Sequence, residues 1–248
     1  MPADTVQVLA FDVYGTLLDT SSISTDIRTL LHLDQEKADQ LSLLWRRYQL
    51  EYTWRLNSMG HYDPFDQVTR RSFLHAAADS RLAVDEGTAD RILERYSHLS
   101  PFHDAVTALQ ALSKQKHLKI VVFSNGTHQM IQSALAGTQL TTIPYGIFLA
   151  DTMQTYKPST TIYKDLVAHI NATPNLNDGT EVPSGNVWLV SGNPFDVTGA
   201  RAAGLNAIWV DRRSSGWTDR IAPVGYDWSP TKIVQSLEDI VDIFITRA

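Results

Sequence analysis

The 248-residue chain contains no cysteine, which excludes a disulfide framework, a thiolate metal site and a cysteine nucleophile. No run approaches the ~20 apolar residues that a membrane span requires. The N-terminus lacks a basic stretch followed by an apolar core, so a soluble cytoplasmic protein is expected. Long basic runs are missing too, and a net charge of -6 offers no footprint for nucleic acid. The histidines show no HExxH-type spacing, so His61, His75, His98, His103, His117, His128 and His169 read as surface or packing residues. There is no internal repeat. A hydrophobic content of 43% with 19% charged residues is enough to bury a substantial core.

The stretch VQVLAFDVYGTLL, residues 6–18, organises what is present. Its apolar run to Phe11, stopped by Gly15-Thr16, reads as a buried central strand of a parallel sheet, and Asp12 closes it. In open parallel sheets the ligand crevice lies beyond the carboxyl ends of the strands, so Asp12 points into a site; a turn cap before Gly15 is the lesser alternative.

Residues from about 20 to 99 read as a helical insertion joined to the core by two short connections. Asp34-Gln35-Glu36 starts a long helix ending near Gly60, and Pro64-Phe65 and Asp85-Glu86 start two more. On the long helix Leu41, Leu44, Tyr48 and Tyr52 share one face, while Arg46, Leu50 and Thr53 lie roughly opposite. Such a helix needs two partners, although spacing alone leaves Arg46 solvated beside Arg47. The several Trp and Tyr of residues 45–62 are expected inside the insertion.

From Asp104 onward helices alternate with strands near 118–123, 146–150, 187–190 and 207–210, which predicts a doubly wound α/β fold with a parallel sheet. Asn171 to Gly185 reads as an exposed loop, and Thr231 to Thr246 as a final amphipathic helix. Polar residues stand at four strand or loop ends: Asp12 with Thr16, Ser124 with Asn125, Lys157, and Ser191, Asn193 and Asp196. A parallel sheet delivers them to one edge.

These motifs, FDVYGTL, FSNGT, YKPSTTIY and VSGNPFDVTGARAAG, resemble those of the haloacid dehalogenase superfamily, and most closely the bacterial L-2-haloacid dehalogenases, over nearly the whole chain. WRRYQLEYTW resembles the stretch that supplies an arginine to the site, which places Arg46 there. The resemblance implies a Rossmann-like core of residues 1–19 and 100–248 with a helical cap of residues 20–99. It implies a homodimer acting on small 2-haloacids, with no cofactor and no metal.

On this reading Asp12 is a carboxylate nucleophile, held ionised by Thr16 and Lys157, that displaces halide to form an ester which water cleaves. Ser124 and backbone N–H groups at the start of its helix take the substrate carboxylate, Arg46 and Asn125 take the halide, and Asn193 and Asp196 direct the water. Val13, Tyr14, Leu50, Phe65, Tyr163, Ser191 and Phe195 are expected to bind or wall the substrate; for Leu50 and Phe65 core packing is an equal alternative.

Two other functions use the same fold. A magnesium-dependent phosphatase of a small phosphate ester usually carries an Asp two residues after the nucleophile and two acids in the last motif, where this chain has Tyr14 and only Asp196. A ligand-binding protein without turnover needs no nucleophile flanked by a cation and a second acid. The dehalogenases typically read Ser-Ser-Asn with a Trp before the final Asp. Gly192 and Phe195 are therefore expected to widen or reshape the pocket, and the 171–185 loop is expected near its rim.

Overall fold

The computed structural model describes residues 6–136 and 138–245. In chain order the elements are β1 (Gln7–Phe11), α1 (Ile23–Leu31), α2 (Gln35–Met59), α3 (Phe65–Asp79), α4 (Glu86–Tyr96), α5 (His103–Ser113), β2 (Leu118–Ser124), α6 (His128–Leu135), β3 (Gly146–Leu149), α7 (Ala150–Met153), α8 (Thr160–Ala172), α9 (Pro174–Asn177), β4 (Val187–Ser191), α10 (Pro194–Ala202), β5 (Asn206–Val210), β6 (Lys232–Val234) and α11 (Glu238–Ile245). Among the described residues the strands form one sheet in the order β3-β2-β1-β4-β5-β6, every pair parallel.

β1 is central because it is apolar on both faces. Leu9 and Phe11 pack with Ile120, Val122 and Val190 on one side, and Val8 and Ala10 with Val121, Phe123 and Leu189 on the other. The register pairs Phe11 with Val122 of β2 and with Val190 of β4, so Asp12 emerges level with Phe123 and Ser191, one residue before Ser124, at one sheet edge. The Asp12 N–H donates to the Val190 carbonyl at 3.0 Å, fixing the chain as it leaves the sheet.

Residues 20–99 are helical, and their two connections run side by side: Asp19 N–H donates to Ser100 O at 2.8 Å and Phe102 N–H to Leu17 O at 2.9 Å. In α2 the Asp34 carboxylate accepts from Lys37 N–H at 2.8 Å, and Gly60 ends the helix at φ 67°, a left-handed turn that glycine adopts without strain. Leu41 and Trp45 face the helical layer, with Trp45 Nε1 donating to Thr69 O at 2.9 Å, while Arg46, Gln49, Thr53 and Asn57 form a stripe toward the sheet edge or inside the layer. The Asn57 amide pairs with both the N–H and the carbonyl of Tyr156, at 3.0 and 2.6 Å, and Tyr62 O–H donates to Asp151 at 2.5 Å.

Four expectations change. Trp54 is not interior: it is 41% exposed and meets Phe195 edge-on at 5.5 Å. The C-terminal segment is not one helix, because Lys232–Val234 adds a sixth strand and α11 begins only at Glu238; Thr246 lies outside the described residues, as do residues 1–5 and 246–248 of the expected core. The segment from Asn171 to Gly185 is not a free loop: Leu176, Asn177 and Val182 are buried, and the Asn171 side chain bonds both the N–H and the carbonyl of Val182. Nor does it border the site, since Asp178 pairs with Lys119 at the start of β2, the opposite end from Ser124. Among the described residues no helix is long and apolar enough to cross a membrane.

Candidate active site

Asp12 is buried with each carboxylate oxygen assigned. Oδ2 accepts from Thr16 Oγ1 at 2.7 Å and from Asn193 Nδ2 at 2.8 Å; Oδ1 accepts from Lys157 Nζ at 3.2 Å. The turn Gly15-Thr16 carries the hydroxyl back toward Asp12, and Gly15, at φ 88°, takes the left-handed conformation the turn needs. Lys157 is 1% exposed and its ammonium is fully engaged, donating also to Phe123 O and to Asp196 Oδ2, both at 2.8 Å. One buried cation therefore bridges two carboxylates.

Asp196, in the first turn of α10, is 0% exposed. Tyr163 O–H donates to its Oδ1 at 2.7 Å, so both oxygens have a partner. Burial pushes the Asp196 carboxyl above the ordinary carboxylate range and Asp12 adds to this, while Lys157 opposes it. Tyr163, expected at the substrate, is instead fully buried behind Asp196, where burial raises its own phenol and keeps it a donor.

Arg46 crosses from α2 to the strand ends. Its guanidinium donates to Gln49 Oε1 at 2.7 Å, Tyr14 O at 3.2 Å and Asn193 Oδ1 at 3.4 Å. Asn193 in turn donates to Tyr14 O at 2.9 Å, so the arginine and the Asp12 carboxylate share one neighbour. Gln49 and Tyr96 were missed from sequence. Gln49 is buried, accepts from Tyr96 O–H at 3.2 Å and donates to Thr69 Oγ1 at 2.7 Å, which aims the Arg46 fork. The signal was there as a polar stripe at helical spacing, Arg46, Gln49, Thr53 and Asn57, on a helix already apolar on its other side.

The remaining expected residues separate into two groups. Asn125 Oδ1 accepts from the Lys157 N–H at 2.9 Å, Ser124 Oγ accepts from Gly126 N–H at 3.0 Å, and Ser191 Oγ accepts from Asn193 N–H at 3.1 Å, so all three brace the turns around Asp12. Tyr14 and Phe65 pack ring against ring at 5.9 Å, Leu50 is half-buried on the Arg46 side of α2, and Phe195 leans on Trp54. The Val13 side chain is fully buried in the core, and its carbonyl accepts from the N–H groups of Thr16, Leu17 and Leu18. Gly192 does not widen a pocket: a Cβ placed there would lie 2.5 Å from the Gly15 carbonyl oxygen, so glycine permits two backbone turns to touch. A cleft of about 420 Å³ opens beside Gly15 and Gly192 and is lined by Arg46, Arg212 and Arg213.

Comparison with known proteins identifies the family. The profile of the haloacid dehalogenase-like hydrolase family matches residues 6–204. (S)-2-haloacid dehalogenase 4A of Burkholderia cepacia is 30% identical over 240 residues, 96% of this chain and 94% of that protein. (S)-2-haloacid dehalogenase 1 of Pseudomonas sp. strain CBS-3 is 32% identical over 209 residues, 84% of this chain and 86% of that one. Among solved structures, L-2-haloacid dehalogenase from Xanthobacter autotrophicus with chloropropionic acid covalently bound superposes with a TM-score of 0.81 at 26% identity, covering 98% of this chain and 100% of its own. The chain belongs to the haloacid dehalogenase-like hydrolase family.

Proposed function

We propose that the chain hydrolyses short (S)-2-haloacids to 2-hydroxy acids through an ester on Asp12. A carboxylate oxygen of Asp12 attacks the halogen-bearing carbon; the new carbon–oxygen bond forms as the carbon–halogen pair leaves with the halide, inverting the carbon. Thr16, Asn193 and Lys157 hold the carboxylate in one orientation, which supplies the positioning part of the rate. Arg46 faces the departing anion, and Ser124 with the N–H groups at the start of α6 receives the substrate carboxylate. Water then attacks the ester carbonyl, with Asp196 as the base and Asn193 as its guide. A carboxyl whose affinity for protons is raised by burial is the better base.

The observation that carries this reading is the pairing of a triply bonded Asp12 with an arginine brought in by α2 through Tyr14 O and Asn193. A nucleophile without a leaving-group acid next to it suits halide, which departs as a stable anion. Tyr14 stands where a phosphatase keeps an acid, and burial raises its phenol further from useful acidity. The Lys157 ammonium lies between Asp12 and Asp196, where a hard cation shared by the two carboxylates would have to sit, which disfavours such a site there. The covalently bound chloropropionic acid of the Xanthobacter relative supports the ester step.

Residues 20–99 act in this scheme as a cap over a core of residues 1–19 and 100–248, hinged at the paired connections and latched by Asn57 on Tyr156. The family likeness further supports a homodimer acting in the cytoplasm, with sedimentation as its check. The deciding assay measures halide release from 2-chloropropionate beside phosphate release from p-nitrophenyl phosphate, each with magnesium and with chelator. Halide release indifferent to chelator is expected; magnesium-dependent phosphate release without halide would establish the phosphatase instead.

A further inference from the structure

The active site contains a buried polar atom to which the scheme above gives no task. Tyr14, two residues after Asp12, is 3% exposed, yet its hydroxyl has no hydrogen-bond partner. A buried hydroxyl left unpaired has lost its hydration without a replacement bond, which destabilises the fold. The packing does not call for the oxygen: the ring stacks on Tyr96 at 5.7 Å with 14° between planes and leans on Phe65 at 5.9 Å, contacts that phenylalanine would also make. Tyr96 differs, because its hydroxyl is bonded to Gln49.

The residue's position shows what the hydroxyl could meet. The Tyr14 carbonyl accepts from Arg46 and from Asn193, which anchors its backbone between the cationic fork and the Asp12 carboxylate. Its ring reaches across to the turn after β2, where a Cβ on Gly126 would lie 3.1 Å from Tyr14 Cε2. The Tyr14 backbone thus lies against the α2 arginine while its ring lies against the turn that carries Ser124 and Asn125. Burial, with Tyr96 and Asp12 adding and Arg46 opposing, raises the phenol above its usual range, so it stays an O–H donor at neutral pH.

We propose that the Tyr14 hydroxyl donates a hydrogen bond to the halide as the carbon–halogen bond breaks, completing with Arg46 the site that receives the anion. The inference rests on the dehalogenation reading above. The bonding pair leaves with the halide, the Asp12 oxygen takes its place on carbon, and the phenolic proton stays on Tyr14, because halide has no need of it. The stability given up at the orphan oxygen is then recovered as the reaction proceeds.

Tyr14→Phe separates this role from a packing one. The variant should keep or raise the melting temperature, because it deletes an unpaired polar atom, while kcat falls by roughly 10- to 100-fold, short of the 10²–10³ of an oxyanion donor since halide charge is diffuse. The loss should be larger with 2-chloropropionate than with 2-bromopropionate, and product inhibition by bromide should weaken while inhibition by propionate does not. Wild-type kcat on both haloacids with unchanged bromide inhibition would overturn the proposal. So would weakened propionate inhibition alone, which would assign the hydroxyl to the carboxylate, or a lowered melting temperature with equal losses on both haloacids. Wild-type enzyme assayed alongside keeps the two readings apart: absence of halide release there defeats the dehalogenase reading, whereas an active wild type with an indifferent Tyr14→Phe defeats only this one.

Discussion

Replacing Arg46 by lysine keeps the charge and removes the fork. The guanidinium is aimed by its short bond to Gln49, 2.7 Å, and braced by longer ones to Tyr14 O and Asn193, 3.2 and 3.4 Å. A lysine ammonium on a flexible stem cannot keep these three anchors and still face a halide. Removing one well-placed transition-state donor costs ~2.7–4 kcal/mol, or about 10²–10³ in kcat. The fold should hardly notice. Gln49 Oε1 retains Tyr96 O–H and Tyr14 O retains Asn193 Nδ2, so the one acceptor left without its donor is the part-buried Asn193 Oδ1, whose bond is the longest of the three at 3.4 Å. With less than about 1 kcal/mol at stake, the melting temperature should move by no more than ~2–4 °C. Halide release from 2-chloropropionate and 2-bromopropionate, followed beside thermal unfolding, reads both quantities, and the chloride substrate should lose more. Wild-type turnover by Arg46→Lys would refute the reasoning and remove Arg46 from the chemistry.

Asp196→Asn should form the ester but hydrolyse it slowly: one equivalent of halide per enzyme, then turnover reduced ~10²–10⁴-fold, with the adduct visible by intact mass; equal slowing of the burst would contradict this order of steps. In the wild type the base must be ionised and burial raises its carboxyl, so kcat should fall as pH drops through a value above that of an exposed carboxylate, and a limb at or below the exposed value would count against Asp196. Gly192→Ser should destabilise by ~1–3 kcal/mol in urea, because its Cβ meets the Gly15 carbonyl oxygen at 2.5 Å and backbone must move; an unshifted midpoint would show that the turns can part. Asp104 is buried and accepts from Arg212, Ser236 and the Leu237 N–H, joining α5 to α11. Asp104→Ala should cost about 3 kcal/mol. Burial pushes the Asp104 carboxyl up but these bonds outweigh it and hold it below the usual range, so its contribution is complete above the unfolded value and vanishes as pH falls through the folded one. The gap between variant and wild type should close in acid, and a gap that widened there would be incompatible with this pairing.

How much of this could be read from the chain depends on how local the cause is. Asp12 was legible because an apolar run followed by Gly15-Thr16 fixes a strand end, and α2 because Asp34 and Gly60 mark its ends with capping chemistry. Arg46 was not, since periodicity gives its face but not what stands opposite; only the likeness of WRRYQLEYTW placed it. Gln49 and Asn57 read as ordinary polar residues of a long helix because their partners, Thr69 and Tyr156, are distant in sequence. Tyr163 was placed one layer too far forward, as sequence does not distinguish a side chain at the substrate from one behind Asp196. β6 escaped because three residues carry too little pattern and pair only by adjacency to β5. Gly192 misled because losing a side chain suggests space, whereas here it permits contact.

Covalent catalysis by Asp12 is tested most directly by a single turnover with enzyme in excess of 2-chloropropionate in heavy-oxygen water. Because water attacks the ester carbonyl and the product departs with the original carboxylate oxygen, the label should enter the Asp12 side chain and be absent from the 2-hydroxy acid of that first turnover. Label found in the product and not in Asp12 would mean that water attacks the substrate carbon itself, and the nucleophile assigned to the tip of β1 would be wrong.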